Sequence, residues 1–176
     1  MKTIQAAATS TSITLLLLFS IVLLVQVQAE SLRFRNGKFK LVQFTDMHYG
    51  ESWERDKKSN KMQEDIIRWE KPDLAVISGD AVSGYSYPSN DTCLKGGVLE
   101  CWKYWTQPLI NTKTKWAFIF GNHDDQADLT RSQIIEIDMS YYPQSLTQRG
   151  PSDVTGETKY VDLYVLDLTL SCLVTC

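Results

Sequence analysis

Three short runs of apolar residues lie in the middle of the chain, and each run ends at polar residues. They are KFKLVQFTD (38–46), DLAVISGD (73–80) and KWAFIFGN (115–122). Buried strands have this composition, rich in β-branched and aromatic residues, and stop in the same way. The pattern therefore predicts three buried strands.

Two segments between these runs have apolar residues at helical spacing. The first spans 59–72 and closes at Pro72, and the second spans 98–110 after a loop (83–97) rich in Gly, Ser, Pro and Asn. The apolar positions that we expect near one face of each helix are Met62, Ile66, Ile67 and Trp69 in the first, and Leu99, Trp102 and Trp105 in the second. The order strand, helix, strand, helix, strand predicts an α/β fold with a parallel sheet covered on both faces.

The residues that follow the predicted strands carry candidate chemistry. Asp46 and His48 follow the first strand, Asp80 the second, and Asn122 and His123 the third. Ligands of open parallel sheets bind beyond the carboxyl ends of the strands, so these side chains should share one edge. Carboxylate, imidazole and amide groups suit iron, manganese or zinc. Two such ions, about 3.5–4 Å apart, can hold a phosphate ester and activate a water molecule to attack it.

These strand ends resemble a known family. FTDMHYG (44–50), ISGDAV (77–82) and FGNHDD (120–125) are similar to the first three motif blocks of the calcineurin-like metallophosphoesterases, in the same order. The sequence around these motifs, roughly residues 32–153, resembles the branch of probable inactive purple acid phosphatases. The resemblance implies a β-sandwich flanked by helices, of which this chain carries the N-terminal βαβαβ portion.

The resemblance also implies a binuclear centre of iron, manganese or zinc. In that family pattern Asp46 and His48 hold the first metal, Asp80 bridges both, and Asn122 binds the second. A phosphate ester is the implied substrate. For each residue the alternative interpretation is a polar strand end capped by the backbone.

Two further residues receive catalytic roles from the same resemblance. His123 would face the phosphoryl group and protonate the leaving oxygen or stabilise charge, and Asp124 would orient it. A neighbouring carboxylate can set the tautomer and the pKa of a histidine, which gives the pair a physical rationale.

The sequence departs from the purple acid phosphatase pattern in two places. Ser83 stands where that group has a tyrosine ligand, with Tyr85 two residues further on, and no histidine follows His123 although the family adds later histidine ligands. The second metal site is therefore expected to lack ligands. Two rival hypotheses follow: a non-catalytic protein that binds a metal or phosphate, and a non-functional fragment.

The last residues match no later motif of the family. The segment KYVDLYVLDLTLSCLVTC (159–176) is apolar and has high strand propensity. We expect a truncated product, whose sheet would keep an unpaired apolar edge. The alternative is a shortened protein whose edge is covered by a partner chain; the oligomeric state is left open.

The N-terminal segment predicts entry into the secretory pathway. Residues 1–29 combine a lysine near the start, an apolar stretch from Ile13 to Val25 and a small-residue cleavage site with Ala29 as the last residue removed. Cleavage would leave 30–176 as one domain without a stable membrane span, in the secretory lumen or outside the cell. The alternative is an uncleaved signal anchor.

Cysteine usage fits that compartment. Cys93 and Cys101 flank a Gly-Gly pair and are predicted to form a disulfide, with unpaired thiols as the alternative, whereas Cys172 and Cys176 allow no assignment. The sequence Asn90-Asp91-Thr92 is a glycosylation acceptor in a secreted chain.

Charge and composition narrow the function further. A net charge of −3 and a hydrophobic fraction of 43% predict a globular domain without the basic patch of a nucleic-acid-binding protein. Aromatic residues at helical spacing favour the core over a stacking surface, and the mixed-sign run 54–58 favours a solvated helix start over a docking patch. The aromatic residues meant are Trp102, Tyr104 and Trp105. Arg131 and Arg149 are expected to face solvent rather than substrate.

Overall fold

The computed structural model describes residues 32–150 and Asp153. In chain order its elements are β1 (Leu41–Phe44), α1 (Trp53–Glu70), β2 (Leu74–Ser78), α2 (Val98–Thr112), β3 (Trp116–Ile119) and α3 (Arg131–Met139), with short 3-10 turns at Gly84–Ser86 and Cys93–Gly96. The predicted α/β class and the order of the first five elements are confirmed.

The three strands form a parallel sheet in the order β1-β2-β3. Leu41 lies opposite Leu74 across the first pair, and Ala75 lies opposite Trp116 across the second. All four residues of β3 are buried, whereas β1 alternates between exposed and half-buried positions, with Leu41 50% exposed. The prediction that all three strands are buried is therefore wrong for β1, which lies beside a single neighbour in the described sheet.

Helix α1 differs from its predicted bounds and its predicted buried face. It begins at Trp53 rather than near residue 59, and its core side carries Gln63 and Ile67. Met62 is 63% exposed and Trp69 77% exposed, so placing them with the packed face was wrong. Gln63 shares the buried face with Ile67, and its side-chain oxygen accepts a hydrogen bond from the Tyr49 hydroxyl at 3.1 Å.

Helix α2 supplies much of the core. Trp102 and Trp105 are fully buried and pack against Phe118 of β3, which confirms them as core residues. Tyr104 is half-buried, and its ring contacts the Trp53 ring of α1 in a tilted arrangement, with centroids 4.9 Å apart. Leu99, predicted on the buried face of this helix, is 40% exposed.

Buried polar groups tie the last helix to this core. The carboxylate of Asp138 in α3 accepts hydrogen bonds from the indole nitrogens of Trp102 and Trp116, each at 3.0 Å, and from the Ser145 hydroxyl at 2.6 Å. A buried carboxylate is costly unless it is hydrogen-bonded, and three donors satisfy this one.

The predicted Cys93–Cys101 disulfide is present, and it joins the second 3-10 turn to α2. Asn90 of the glycosylation sequence is exposed in the loop before it. Across residues 32–150, no helix is both long and apolar enough to span a bilayer. The signal-peptide prediction for 1–29, Cys172, Cys176 and the apolar segment 159–176 fall outside the described residues.

Candidate metal centre

Three of the predicted metal ligands converge beyond the strand ends. Asp46, His48 and Asp80 each offer one ligand atom, and these atoms lie within 4.8 Å of one another. Backbone hydrogen bonds hold the two loops together: the Asp46 amide donates to the Gly79 carbonyl at 3.1 Å, and the His48 amide donates to the Asp80 carbonyl at 3.0 Å. The parallel pairing of β1 and β2 thus continues into the site.

The backbone at these three residues is unusual. Asp46, His48 and Asp80 have φ angles of 51°, 49° and 50°, in the left-handed region. Residues with a Cβ rarely adopt this conformation, and it costs on the order of 1–3 kcal/mol unless the surroundings impose it. The chain therefore accepts strain at the positions whose side chains converge.

A glycine contact joins the ends of β2 and β3. A Cβ built on Gly121 would lie 2.1 Å from the Asp80 Oδ1 atom, and one on Gly79 would lie 2.8 Å from the Gly121 Cα atom. The close approach lets the His123 amide donate to Asp80 Oδ1 at 2.8 Å. The second and third motif blocks are thereby held in direct contact.

The side chains of Asn122 and His123 interact with each other at the third strand end. Asn122 Nδ2 lies 2.9 Å from His123 Nε2, and His123 Nδ1 lies 2.9 Å from Gln126 Oε1. With Nδ1 as the protonated nitrogen, the ring donates to Gln126 and accepts from Asn122. The amide oxygen of Asn122 is then the atom of that side chain suited to a metal ion. The His123 ring lies 5.6 Å from the His48 ring between centroids.

Asp124 has a different set of contacts from the one expected. Its buried carboxylate accepts hydrogen bonds from the backbone amides of Asp80, Val82 and Gly121, at 3.0, 3.0 and 2.8 Å. Burial raises the pKa of Asp124 to about 6, against the opposite effect of these amide donors.

The orienting contact expected from Asp124 to His123 is made instead by Gln126. The physical reason is that the Asp124 side chain is directed to the buried backbone of the Asp80 loop. Gln126 lies three residues after His123, and sequence reasoning passed over it.

A second group lies behind His48: Ser83 and Tyr85, which the sequence marked only as departures from the family pattern, and Glu51, which it missed. The Oγ atom of the fully buried Ser83 is 2.7 Å from His48 Nδ1 and 3.2 Å from Glu51 Oε1. The hydroxyl of Tyr85 donates to the same Glu51 oxygen, and this bond lowers the pKa of Glu51. The Tyr85 ring meets the His123 ring edge-on with centroids 4.8 Å apart.

Of the two arginines expected to face solvent rather than substrate, Arg149 is exposed and Arg131 is half-buried, and both form ion pairs with the protein. Arg131 Nε contacts Asp125 Oδ2 at 2.9 Å, and its Nη2 donates to the Gly121 carbonyl at 2.9 Å. Arg149 Nη2 contacts Glu136 Oε1 at 2.9 Å on α3. Arg131 thus supports the loop that carries the third motif block.

The donor set fits a metal ion of intermediate hardness. Two carboxylates and one imidazole converge at Asp46, His48 and Asp80, with the amide of Asn122 on the adjoining loop. Such mixed oxygen and nitrogen donors suit iron, manganese or zinc. The described residues thus provide three converging ligands for one ion and fewer for a second.

Comparisons with known proteins agree with the geometry. The family model for calcineurin-like phosphoesterases matches residues 39–167. Phosphatase DCR2 of Saccharomyces cerevisiae is 34% identical over 146 residues, which cover 75% of this chain and 24% of that protein. Probable inactive purple acid phosphatase 14 of Arabidopsis thaliana is 34% identical over 137 residues, or 69% of this chain and 32% of that protein.

A third relative is also similar to this chain over part of its length. Probable inactive purple acid phosphatase 29 of Arabidopsis thaliana is 28% identical over 150 residues, which cover 77% of this chain and 36% of that protein. The chain therefore spans between 24% and 36% of the length of these curated relatives. By the family match and these identities, the chain belongs to the calcineurin-like phosphoesterase family.

Proposed function

We propose that this chain is part of a metal-dependent phosphoesterase that hydrolyses phosphate esters by attack of an activated water molecule. The observation that carries the proposal is the convergence of Asp46, His48 and Asp80, whose ligand atoms lie within 4.8 Å of one another at the family's first two motif blocks. The left-handed backbone at all three residues supports it, because strain of this kind clusters at functional sites.

Each ligand has a role in this proposal. Asp46 and His48 would hold one ion, Asp80 would serve both, and the amide oxygen of Asn122 would serve the second. When bound, ions at such a site supply Lewis acidity and lower the pKa of a bound water. The backbone hydrogen bond from His123 to Asp80 Oδ1 orients that carboxylate before any ion binds.

His123 is the proposed proton donor to the leaving oxygen: the proton would come from Nε2 of the doubly protonated ring, so the contact of Nε2 with Asn122 Nδ2 would have to open first. Its Nδ1 atom is held by Gln126 and its ring is bounded by Tyr85, so the side chain is oriented from two sides. A positioned histidine typically contributes about 10²–10⁴-fold through general acid–base catalysis. The His123→Ala variant should lose turnover by that factor while the metal ligands remain.

Metal content and turnover of matched variants test the proposal. The 176-residue chain, supplied separately with iron, manganese and zinc, is analysed for bound metal by mass spectrometry and for p-nitrophenyl phosphate hydrolysis. Asp80→Asn should lose metal and turnover together, whereas His123→Ala should keep metal and lose turnover. Asp65→Asn is the control because Asp65 pairs with Lys61 on α1, outside the site. Equal metal loss in the Asp80 and His123 variants would refute the assigned roles.

A second candidate is a non-catalytic protein that binds metal or phosphate. It is favoured by the histidine count: His48 and His123 are the two histidines of the sequence, so this chain offers few donors to a second ion. Two of the relatives described above also carry names that mark them as probably inactive. Stoichiometric metal binding with no hydrolysis would favour this candidate, and failure to recover a cooperatively folding chain would favour a non-functional fragment.

We also propose that residues 1–29 are a signal peptide and that 30–176 form the N-terminal part of a secreted or luminal phosphoesterase domain. The exposed Asn90 and the Cys93–Cys101 disulfide support this location, since both glycosylation and disulfides belong to the secretory pathway. Expression in a secreting eukaryotic cell tests it. We expect a mature N-terminus at Glu30 and a glycosidase-sensitive mass shift that Asn90→Gln abolishes; retention of residues 1–29 would contradict cleavage.

A further inference from the structure

The hydrogen bonds behind His48 fix which of its two nitrogens faces the metal centre. Nε2 lies 4.0 Å from Asp46 Oδ1, and Nδ1 lies on the opposite side, 2.7 Å from Ser83 Oγ. Nε2 is therefore the nitrogen on the side of the converging carboxylates. Ligation through it requires an unprotonated Nε2, so the mobile proton of a neutral ring must be on Nδ1.

The surroundings of Ser83 determine the direction of its hydrogen bonds. Ser83 Oγ has one proton to donate and lies 3.2 Å from Glu51 Oε1, which also accepts from the Tyr85 hydroxyl. Ser83 Oγ also lies 3.4 Å from the Tyr85 oxygen, but the Glu51 carboxylate is the nearer acceptor and carries charge, so we assign the hydroxyl proton of Ser83 to Glu51. The Ser83 oxygen is then left to accept from His48 Nδ1. The Glu51 oxygen also lies 3.6 Å from His48 Nδ1, which favours a proton on that nitrogen.

We infer that Ser83 and Glu51 are positioning residues that hold His48 with its proton on Nδ1 and present Nε2 to the metal centre. Neither residue touches the converging carboxylates in the contacts described; both act through the imidazole ring. Partners of this kind typically contribute 10–100-fold to metal affinity. The inference rests on the proposed metal centre for its effect on affinity, but the tautomer itself is a property of the metal-free chain.

The chain is well suited to a direct measurement of that tautomer. It contains two histidines, so a ¹⁵N-histidine-labelled sample gives two imidazole spin systems, and a His123→Ala variant assigns the one from His48. Long-range ¹H–¹⁵N correlation at neutral pH, on chelator-treated protein, should show His48 protonated on Nδ1 and unprotonated on Nε2. An unrestrained imidazole favours the opposite tautomer, so the expected result is specific.

Variants then test the two positioning residues. Ser83→Ala should move the His48 ring toward the Nε2-protonated tautomer and weaken Zn²⁺ binding, measured by calorimetry, by at least about tenfold. Glu51→Ala should act in the same direction, because the Ser83 hydroxyl is then released to donate to Nδ1; this variant decides the matter if Ser83→Ala does not fold. Glu54→Ala is the matched control. Glu54 lies three residues after Glu51 and pairs with Lys57, so its replacement should change neither the His48 tautomer nor the zinc affinity.

The outcomes separate this inference from the proposed function. The positioning role would be overturned if His48 of the wild type were protonated on Nε2. It would also be overturned if the Ser83 and Glu51 variants kept the proton on Nδ1, even if their zinc affinity fell. If the tautomer shifts as expected in the variants but the wild type binds none of zinc, iron and manganese, the positioning role is supported and the metal centre is refuted. A shift in tautomer together with the loss of zinc affinity supports both.

Discussion

At the scale of single residues, Asp124 shows how one side chain supports a site without facing it. Its buried carboxylate binds three backbone amides, from Asp80, Val82 and Gly121, in two separate loops. The Asp80 amide belongs to a candidate metal ligand, and the Gly121 amide directly precedes the candidate ligand Asn122. Asp124 therefore holds the second and third motif blocks together from the inside, and its contribution should appear first as stability.

We expect Asp124→Ala to lower the free energy of unfolding by about 3 kcal/mol, because the buried amides of Asp80 and Val82 and the half-buried amide of Gly121 lose their acceptor, at about 1–3 kcal/mol for each buried group. Chemical denaturation measures the change. Asp125→Ala is the neighbouring control: Asp125 pairs with the half-exposed Arg131, and exposed ion pairs contribute about 0–1 kcal/mol. Similar losses in the two variants would contradict the internal role assigned to Asp124.

At the scale of elements, the site depends on how closely two strand ends approach. Gly121, after β3, leaves no room for a Cβ beside Asp80, after β2. The preceding pairing of Ser78 with Ile119 brings these residues side by side. The third motif block thus requires glycine at 121 for close packing against the Asp80 loop, in addition to any role of its neighbours in chemistry.

We expect Gly121→Ala to destabilise the chain and to weaken Zn²⁺ binding at least about tenfold, since its methyl group would overlap the Asp80 backbone and carboxylate. Overpacking of this kind typically costs about 1–3 kcal/mol. Gly37→Ala is the control: φ at Gly37 is +71°, but a Cβ there meets nothing within 4 Å. It should lose stability through backbone strain while keeping zinc affinity. Unchanged zinc affinity in Gly121→Ala would show that the close approach does not shape the site.

At the scale of the whole molecule, the disulfide fastens the end of the long loop between β2 and α2 to the helix that follows it. Cys93 lies in a 3-10 turn and Cys101 in the first turns of α2, eight residues apart. Leu94 of the same turn is fully buried and packs where a side chain on Gly50 would lie. The crosslink therefore fastens the loop next to the segment that follows His48.

Replacing both cysteines with alanine should lower the free energy of unfolding by about 2–3 kcal/mol, from the entropy of an open loop of this length. Denaturation of the oxidised wild type, the reduced wild type and the double variant measures it. The reduced wild type should match the double variant. An oxidised wild type no more stable than the double variant would contradict a stabilising crosslink.

The fold and the cluster of candidate ligands were predictable from the sequence for a simple reason. Apolar runs and helical periodicity are local patterns, and parallel strands place their carboxyl ends on one edge. Asp46, His48 and Asp80 therefore had to approach one another once the strands were assigned. The fully buried Trp102 and Trp105 followed from the same periodicity.

Errors arose where exposure depends on neighbouring elements. Met62 and Trp69 share the apolar character of Ile67, yet only the tertiary arrangement leaves the first two in solvent and places Ile67 against the core. The same is true of β1, whose apolar run reads as a buried strand but has one strand partner within the described sheet. Periodicity gives the faces of an element, but not what covers each face.

The sequence by itself determined the order of the elements, the family motifs and the edge of the sheet at which they meet, because these follow from local pattern and from parallel topology. The tertiary structure decided which side chains support them. Ser83 meets His48 across 35 residues of sequence, and Asp124 reaches the amide of Asp80 across 44. Such pairs have no periodic signal, since a hydrogen bond between distant residues depends on the packing of the intervening elements.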